Sequence, residues 1–219
     1  MATDFPTFAA ILRLSTKYDV PNLRDPAAAL LTSSFPSSLD LFSITPKAPV
    51  FRGIEIAVVN LAREVDLLQV LPSAMYIIAI NAADEMFSGG VGLADGSCIR
   101  LQPEDERACL LARDIIRREL HNTLCPFIFR PTMHRGCVCY RCDRAQLYLI
   151  QSVDAAICER ALGPFHGEIE WRKPEHAYCR FEAHEYEFDS SRRILWNKLP
   201  SWFGLPTWTE LCGTEDPLP

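Results

Sequence analysis

The stretch that decides the fold covers residues 54–80 and reads IEIAVVNLAREVDLLQVLPSAMYIIAI. Apolar residues occupy more than half of the helical circumference both before and after Pro72. Proline lacks a backbone N–H and is tolerated in the first turn of a helix, so Pro72 divides this stretch into two helices. We predict that this helix pair is the most buried part of the protein.

Two further helices are predicted upstream, within residues 1–36, because apolar side chains recur there at spacings near three and four. The apolar stripe of the first helix consists of Phe8, Ile11, Leu12, Leu14 and Tyr18, and that of the second consists of Leu23, Ala27, Leu30, Leu31 and Phe35. Pro21 suits the start of the second helix and Pro36 its end, while Pro26 lies inside the stripe and predicts a kink or a later start.

Downstream, residues 103–120 form the clearest helical pattern, with acidic residues at the start and Arg117 and Arg118 near the end, as the helix dipole favours. Helices are also expected at about 143–162 and through 188–199. The segments 37–53, 88–101 and 163–184 are expected to be irregular. The predicted fold is mainly α: a helical bundle with an irregular, cysteine-containing C-terminal region. We expect a helix pair at 1–36, a central bundle at 51–121 and the C-terminal region at 122–219, the last two packed together.

The composition of the chain argues against several classes of partner. The chain has 219 residues, 22 Lys and Arg against 28 Asp and Glu, and therefore a net charge of −6. An acidic chain repels phosphate backbones, so nucleic acid is not an expected partner. No apolar run reaches the roughly 20 residues that span a bilayer, so no membrane partner is expected either. Nine cysteines without a secretion signal predict reduced thiols inside the cell, in the cytoplasm or nucleus.

A cysteine cluster is the sharpest local motif. Cys139 and Cys142 have the Cys-x-x-Cys spacing that lets two thiolates reach one zinc ion. Cys137 or His134 is a candidate third ligand, and Cys179 or His184 a candidate fourth. The candidate metal site is Cys137, Cys139, Cys142 and Cys179. The alternative is that these thiols pack under a loop, with no cofactor.

No motif predicts catalysis. The chain lacks Gly-x-Ser-x-Gly, and its glycine-rich segment 88–96 has neither the preceding strand nor the Gly-Lys-Ser or Gly-Lys-Thr ending of nucleotide-binding loops. A cysteine nucleophile activated by His134 would need a third orienting group that the sequence does not show. We therefore predict no catalytic residues.

The order of several segments resembles the C-terminal portion of BTB/POZ-domain proteins of basidiomycete fungi. The segments are FAAILRLSTKYDVPNLR (8–24), SFP (34–36), VNLAREV (59–65), LPSAMY (71–76), DG (95–96), PED (103–105), CR (179–180) and RILWNKLPSWFGLPTW (193–208). The resemblance implies that residues 5–35 correspond to the helix pair after the BTB core, and that the core itself is largely missing. Glu182 stands where we expect the family's second cysteine after Cys179, which weakens the zinc interpretation.

The resemblance implies a non-enzymatic protein–protein interaction module, related to substrate adaptors of cullin-type ubiquitin ligases. Its expected partners are a cullin scaffold or other BTB proteins, and the outward face of residues 5–35 is the place to test. The alternative is a zinc-stabilised regulatory or nucleic-acid-binding module centred on residues 125–184.

Overall fold

The computed structural model describes residues 4–44, 51, 54–81, 91–92, 98–119, 122–123 and 181–213. Contacts divide the chain into two units, one of residues 1–113 with 197–219 and the other of residues 114–196. Among the described residues, no helix combines the length and apolar character needed to cross a membrane. The division into three segments that the sequence suggested, 1–36, 51–121 and 122–219, stays a prediction.

The predicted mainly-α fold is confirmed. Within residues 5–81, the helices are α1 (Phe5–Lys17), α2 (Pro21–Ser34), α3 (Leu39–Ile44), α4 (Glu55–Glu64), a 3₁₀ turn (Leu68–Val70) and α5 (Leu71–Asn81). Two short strands follow, β1 (Val91–Gly92) and β2 (Cys98–Ile99), and then α6 (Pro103–Glu119), α7 (Phe181–Trp202) and α8 (Trp208–Cys212). Pro26 lies within α2, which continues through it.

The predicted central pair is α4 and α5, and it forms the core of the first unit. Pro72 is the second residue of α5, where no helical N–H is needed. Every residue from 71 to 80 is buried, so this part of α5 has no solvent-facing side. On α4, the buried residues are Ile56, Ala57, Val58, Val59, Leu61 and Ala62. A fully buried aliphatic side chain contributes about 1.5–3 kcal/mol, so this pair dominates the described packing.

A cluster of aromatic rings attaches the N-terminal helices to this core. Phe51 is fully buried, and its ring centroid lies 5.1 Å from that of Phe8 and 6.0 Å from that of Phe35. Phe42 of α3 meets the ring of Tyr76 at 5.9 Å. Aromatic pairs at these separations stabilise beyond the area they bury. The segment expected to be only a connection therefore supplies three core residues, Leu39, Phe42 and Phe51.

Two helices end on an aspartate in the left-handed conformation. Asp19 follows α1 with φ +49°, and Asp66 follows α4 with φ +59°. The next residues close the helices: the N–H of Val20 donates to the carbonyl of Ser15, and that of Leu67 to the carbonyl of Ala62. This is the Schellman hydrogen-bond pattern, with Asp where glycine is more common. The reversal after α1 lets α2 pack back against it.

Polar contacts tie α4 to its neighbours. Arg63 donates two hydrogen bonds to the carboxylate of Asp105, at 2.6 and 3.1 Å. The Asp105 side chain is 5% exposed and that of Arg63 is 38% exposed. The amide of Asn60 donates to the carbonyl of Arg100 at 2.8 Å. These bonds connect α4 with the first turn of α6 and with the segment that precedes it.

Three expectations of irregular structure were wrong in part. Residues 39–44 form α3, because Leu39 and Phe42, three residues apart, are both buried. Within 88–101, Val91 pairs with Ile99 in a two-residue antiparallel ladder, too short for the alternation that identifies a strand. Residues 181–184 belong to the first turn of α7. The helix expected at 143–162 lies outside the described residues.

Shortening a side chain of α5 tests whether this helix is the core. Ile78→Ala should lower the free energy of unfolding by about 2–5 kcal/mol, because it leaves a cavity at a fully buried position. Leu111→Ala, at an exposed position of α6, should cost less than about 0.5 kcal/mol. Urea denaturation followed by circular dichroism measures both, and equal losses would contradict this description of the core.

Substituting either partner of the Arg63–Asp105 pair should lower the free energy of unfolding, but by unequal amounts. Arg63→Met should cost about 3 kcal/mol, because it leaves a buried carboxylate without its partner. Asp105→Asn should cost less, about 1–2 kcal/mol, because Arg63 is partly exposed and can turn to water. The comparison uses the same urea denaturation, and the reverse order would show that the carboxylate does not depend on Arg63.

Candidate functional site

The helices α1 and α2 use only part of their apolar stripes for packing. On α1, Phe8 and Leu12 are buried, whereas Ile11, Leu14 and Tyr18 are exposed. The exposed residues are three and four positions apart, so they share one side of the helix. The single stripe predicted for α1 is therefore split between a buried and an exposed side.

On α2 the stripe divides in the same way. Ala27 and Leu31 are buried with Phe35, which follows the helix, while Leu23 and Leu30 are exposed. Leu23 and Leu30 are seven residues apart, which places them on the same side of α2. The sequence predicted a wide apolar stripe here but not which part of it is covered.

Exposed apolar side chains are concentrated in this helix pair. Across the described residues nine large hydrophobic side chains are exposed, and six of them fall within residues 11–30: Ile11, Leu14, Tyr18, Val20, Leu23 and Leu30. Tyr18, Leu23 and Leu14 are 66%, 56% and 55% exposed. Single exposed hydrophobics are ordinary, but a concentration of them on one short hairpin is typical of an interaction surface. We call these six side chains the hairpin face.

Charged residues beside the hairpin face are paired with one another. Arg24 donates to Asp19 at 2.7 Å and to Asp25 at 3.0 Å. Asp25 first, and then Asp19, raise the pKa of the Arg24 guanidinium through these hydrogen bonds and charges. The ammonium group of Lys17 lies 5.5 Å from the centre of the Tyr18 ring. Exposed apolar side chains and charged groups of both signs thus occur together on α1 and α2, the composition that protein–protein interfaces have.

The candidate zinc ligands Cys137, Cys139, Cys142 and Cys179 lie outside the described residues, as does His134. His184 is in α7, but its side chain is not among those described. Within the described ranges, no group of three or more His, Cys, Asp or Glu side chains converges on a potential metal position. Structural zinc bound by the cysteine cluster stays a prediction.

The described part of the chain contains three cysteines that are not in disulfides, Cys98, Cys109 and Cys212. Cys109 is fully buried in α6, and its thiol lies 3.9 Å from the carbonyl oxygen of Met75. Burial, and then the negative charges of Asp105 and Glu106, raise the pKa of the Cys109 thiol to about 12. Cys109 therefore packs as a small apolar side chain.

Thiol alkylation tests this assignment. At pH 8, a thiol whose pKa is raised to about 12 is almost entirely protonated, and the thiolate is the reactive form. Iodoacetamide should modify exposed Cys98 and leave Cys109 unmodified until the protein unfolds. Peptide mapping by mass spectrometry measures each site separately. Alkylation of Cys109 at the rate of Cys98 in folded protein would disprove its burial.

Comparison with protein-family models, curated proteins and solved structures found no match to this chain. The resemblance to BTB/POZ proteins accordingly stays a prediction from the sequence segments alone.

Proposed function

We propose that this protein is a non-enzymatic protein–protein interaction module and that the hairpin face is its docking surface. The observation that supports the proposal is the concentration of six of nine exposed large hydrophobic side chains in residues 11–30. Two helices packed side by side, with apolar side chains turned outward, are suited to receiving an apolar helix of a partner.

The proposed partner is a cullin-type scaffold, with another BTB protein as the second expected partner. This choice rests on the similarity of residues 8–24 to the helix pair that follows the BTB core. The same residues include Ile11, Leu14, Tyr18 and Leu23 of the hairpin face. The sequence resemblance and the exposed apolar surface therefore coincide on the same helices, and this coincidence favours an adaptor-related function.

A binding measurement with purified proteins tests the proposal. The full chain is immobilised, and a full-length basidiomycete cullin is supplied in solution and followed by biolayer interferometry. The double variant Leu14→Glu, Leu23→Glu should bind on the order of a hundredfold more weakly, because each leucine contributes about 1.5 kcal/mol or more when buried at an interface. Both leucines are exposed in the free chain, so the variant should fold normally, which circular dichroism checks.

The matched control is Leu111→Glu, which places the same charge at a leucine of similar exposure on α6. It should bind the cullin as the unmodified chain does. Equal weakening by the control would show that added charge, rather than the hairpin face, controls binding. If the unmodified chain binds neither the cullin nor a full-length BTB protein, the adaptor-related function is wrong.

A further inference from the structure

All but one of the charged side chains in residues 5–34 are in ion pairs. The pairs are Arg13 with Glu64 of α4, and Arg24 with both Asp19 and Asp25. The remaining charge is Lys17, whose ammonium group has no carboxylate within ion-pair distance among the described residues. A protein that docks on α1 and α2 therefore meets one positive charge that the chain itself does not compensate.

This charge lies at the hairpin face. Lys17 is exposed, and its ammonium group is 5.5 Å from the centre of the Tyr18 ring. Lys17 also follows Leu14 by three residues, which makes the two side chains neighbours on α1. Tyr18 and Leu14 are both members of the hairpin face and are more than half exposed.

Covering the hairpin face changes the surroundings of Lys17. Because the ammonium group is so close to the Tyr18 ring, a partner that buries this ring also removes part of the water around the charge. An ammonium group has three N–H donors, and desolvating it without an acceptor is unfavourable. A carboxylate compensates this loss best, since it supplies acceptor oxygens together with the opposite charge. The chain's net charge of −6 repels a partner that is acidic throughout, so a few acidic residues beside an apolar stripe fit better.

We infer that the hairpin face receives an amphipathic helix with a carboxylate at the border of its apolar side, placed to reach Lys17 when apolar side chains cover Tyr18 and Leu14. The inference rests on the proposed docking function of the hairpin face, but not on the cullin as the partner. Arg13 and Arg24 need no such carboxylate, because the chain already supplies theirs. Helices with a neutral or a basic border are the alternative occupants.

Synthetic helical peptides of about 16 residues test the inference against the full chain. They share one leucine stripe and differ only at the residues beside it, which are Glu, Gln or Lys. Fluorescence anisotropy of the labelled peptides measures binding. The Glu peptide should bind roughly threefold to tenfold more tightly than the Gln peptide, and the Lys peptide should bind most weakly. Added NaCl should reduce these differences, because salt screens charge pairs.

Variants of Lys17 locate the carboxylate. Lys17→Met should remove the preference for the Glu peptide over the Gln peptide, whereas Lys17→Arg keeps the charge and should retain it. Lys198→Met is the matched control, because it removes an exposed lysine of α7, and it should leave the preference unchanged. Circular dichroism checks the folding of each variant, since Lys17 is the last residue of α1 and a cation there suits the helix dipole.

The failure of this inference can be distinguished from the failure of the docking function. The double variant Leu14→Gln, Leu23→Gln removes two apolar side chains of the hairpin face without adding charge. If it binds the Glu peptide as tightly as the unmodified chain does, or if no peptide binds, both the docking function and the inference are wrong. If it weakens binding but the Glu and Gln peptides bind equally, or Lys17→Met keeps the preference, the inference alone is overturned.

Discussion

The residues of α5 from 71 to 80 are all buried, so this helix must be enclosed by other elements. That requirement accounts for much of the described packing: α4 and the 3₁₀ turn contact α5 along the chain, and Phe42 of α3 covers Tyr76. A helix that is apolar all round is stable only when it is buried, so the core forms around α5. The ion pair of Arg63 with Asp105 lies on the other side of α4, where Arg63 is partly exposed. Other helices can then expose apolar side chains without losing the fold.

The N-terminal hairpin shows the consequence. Its inner sides hold Phe8, Leu12 and Leu31 against the core, and its remaining apolar side chains are left in water. A leucine that stays about half exposed gains only part of its burial energy in the isolated chain, and a partner that covers it gains the rest. We propose that a cullin-type partner covers these side chains.

Helical periodicity predicted most of the described fold, because α1, α2, α4, α5 and α6 all carry apolar residues at helical spacing or strong end signals. Periodicity did not predict α3 or the burial of Phe51. Isolated apolar residues in a Ser- and Pro-rich segment form no repeating pattern, and their burial depends on contacts with residues distant in the sequence. Periodicity also could not divide the stripe of α1 into covered and exposed sides, because that depends on where α2 and α4 pack. The ion pair of Arg13 with Glu64 joins residues 51 positions apart, which no local pattern indicates.

The most direct test of the central claim is hydrogen–deuterium exchange of the full chain, alone and with a basidiomycete cullin, resolved by peptide mass spectrometry. The account predicts that the complex slows amide exchange in peptides covering residues 11–30, because a partner helix seated there excludes water from α1 and α2. Slower exchange confined to peptides from residues 122–180, with 11–30 unchanged, would contradict it and move the interaction to the cysteine-containing region.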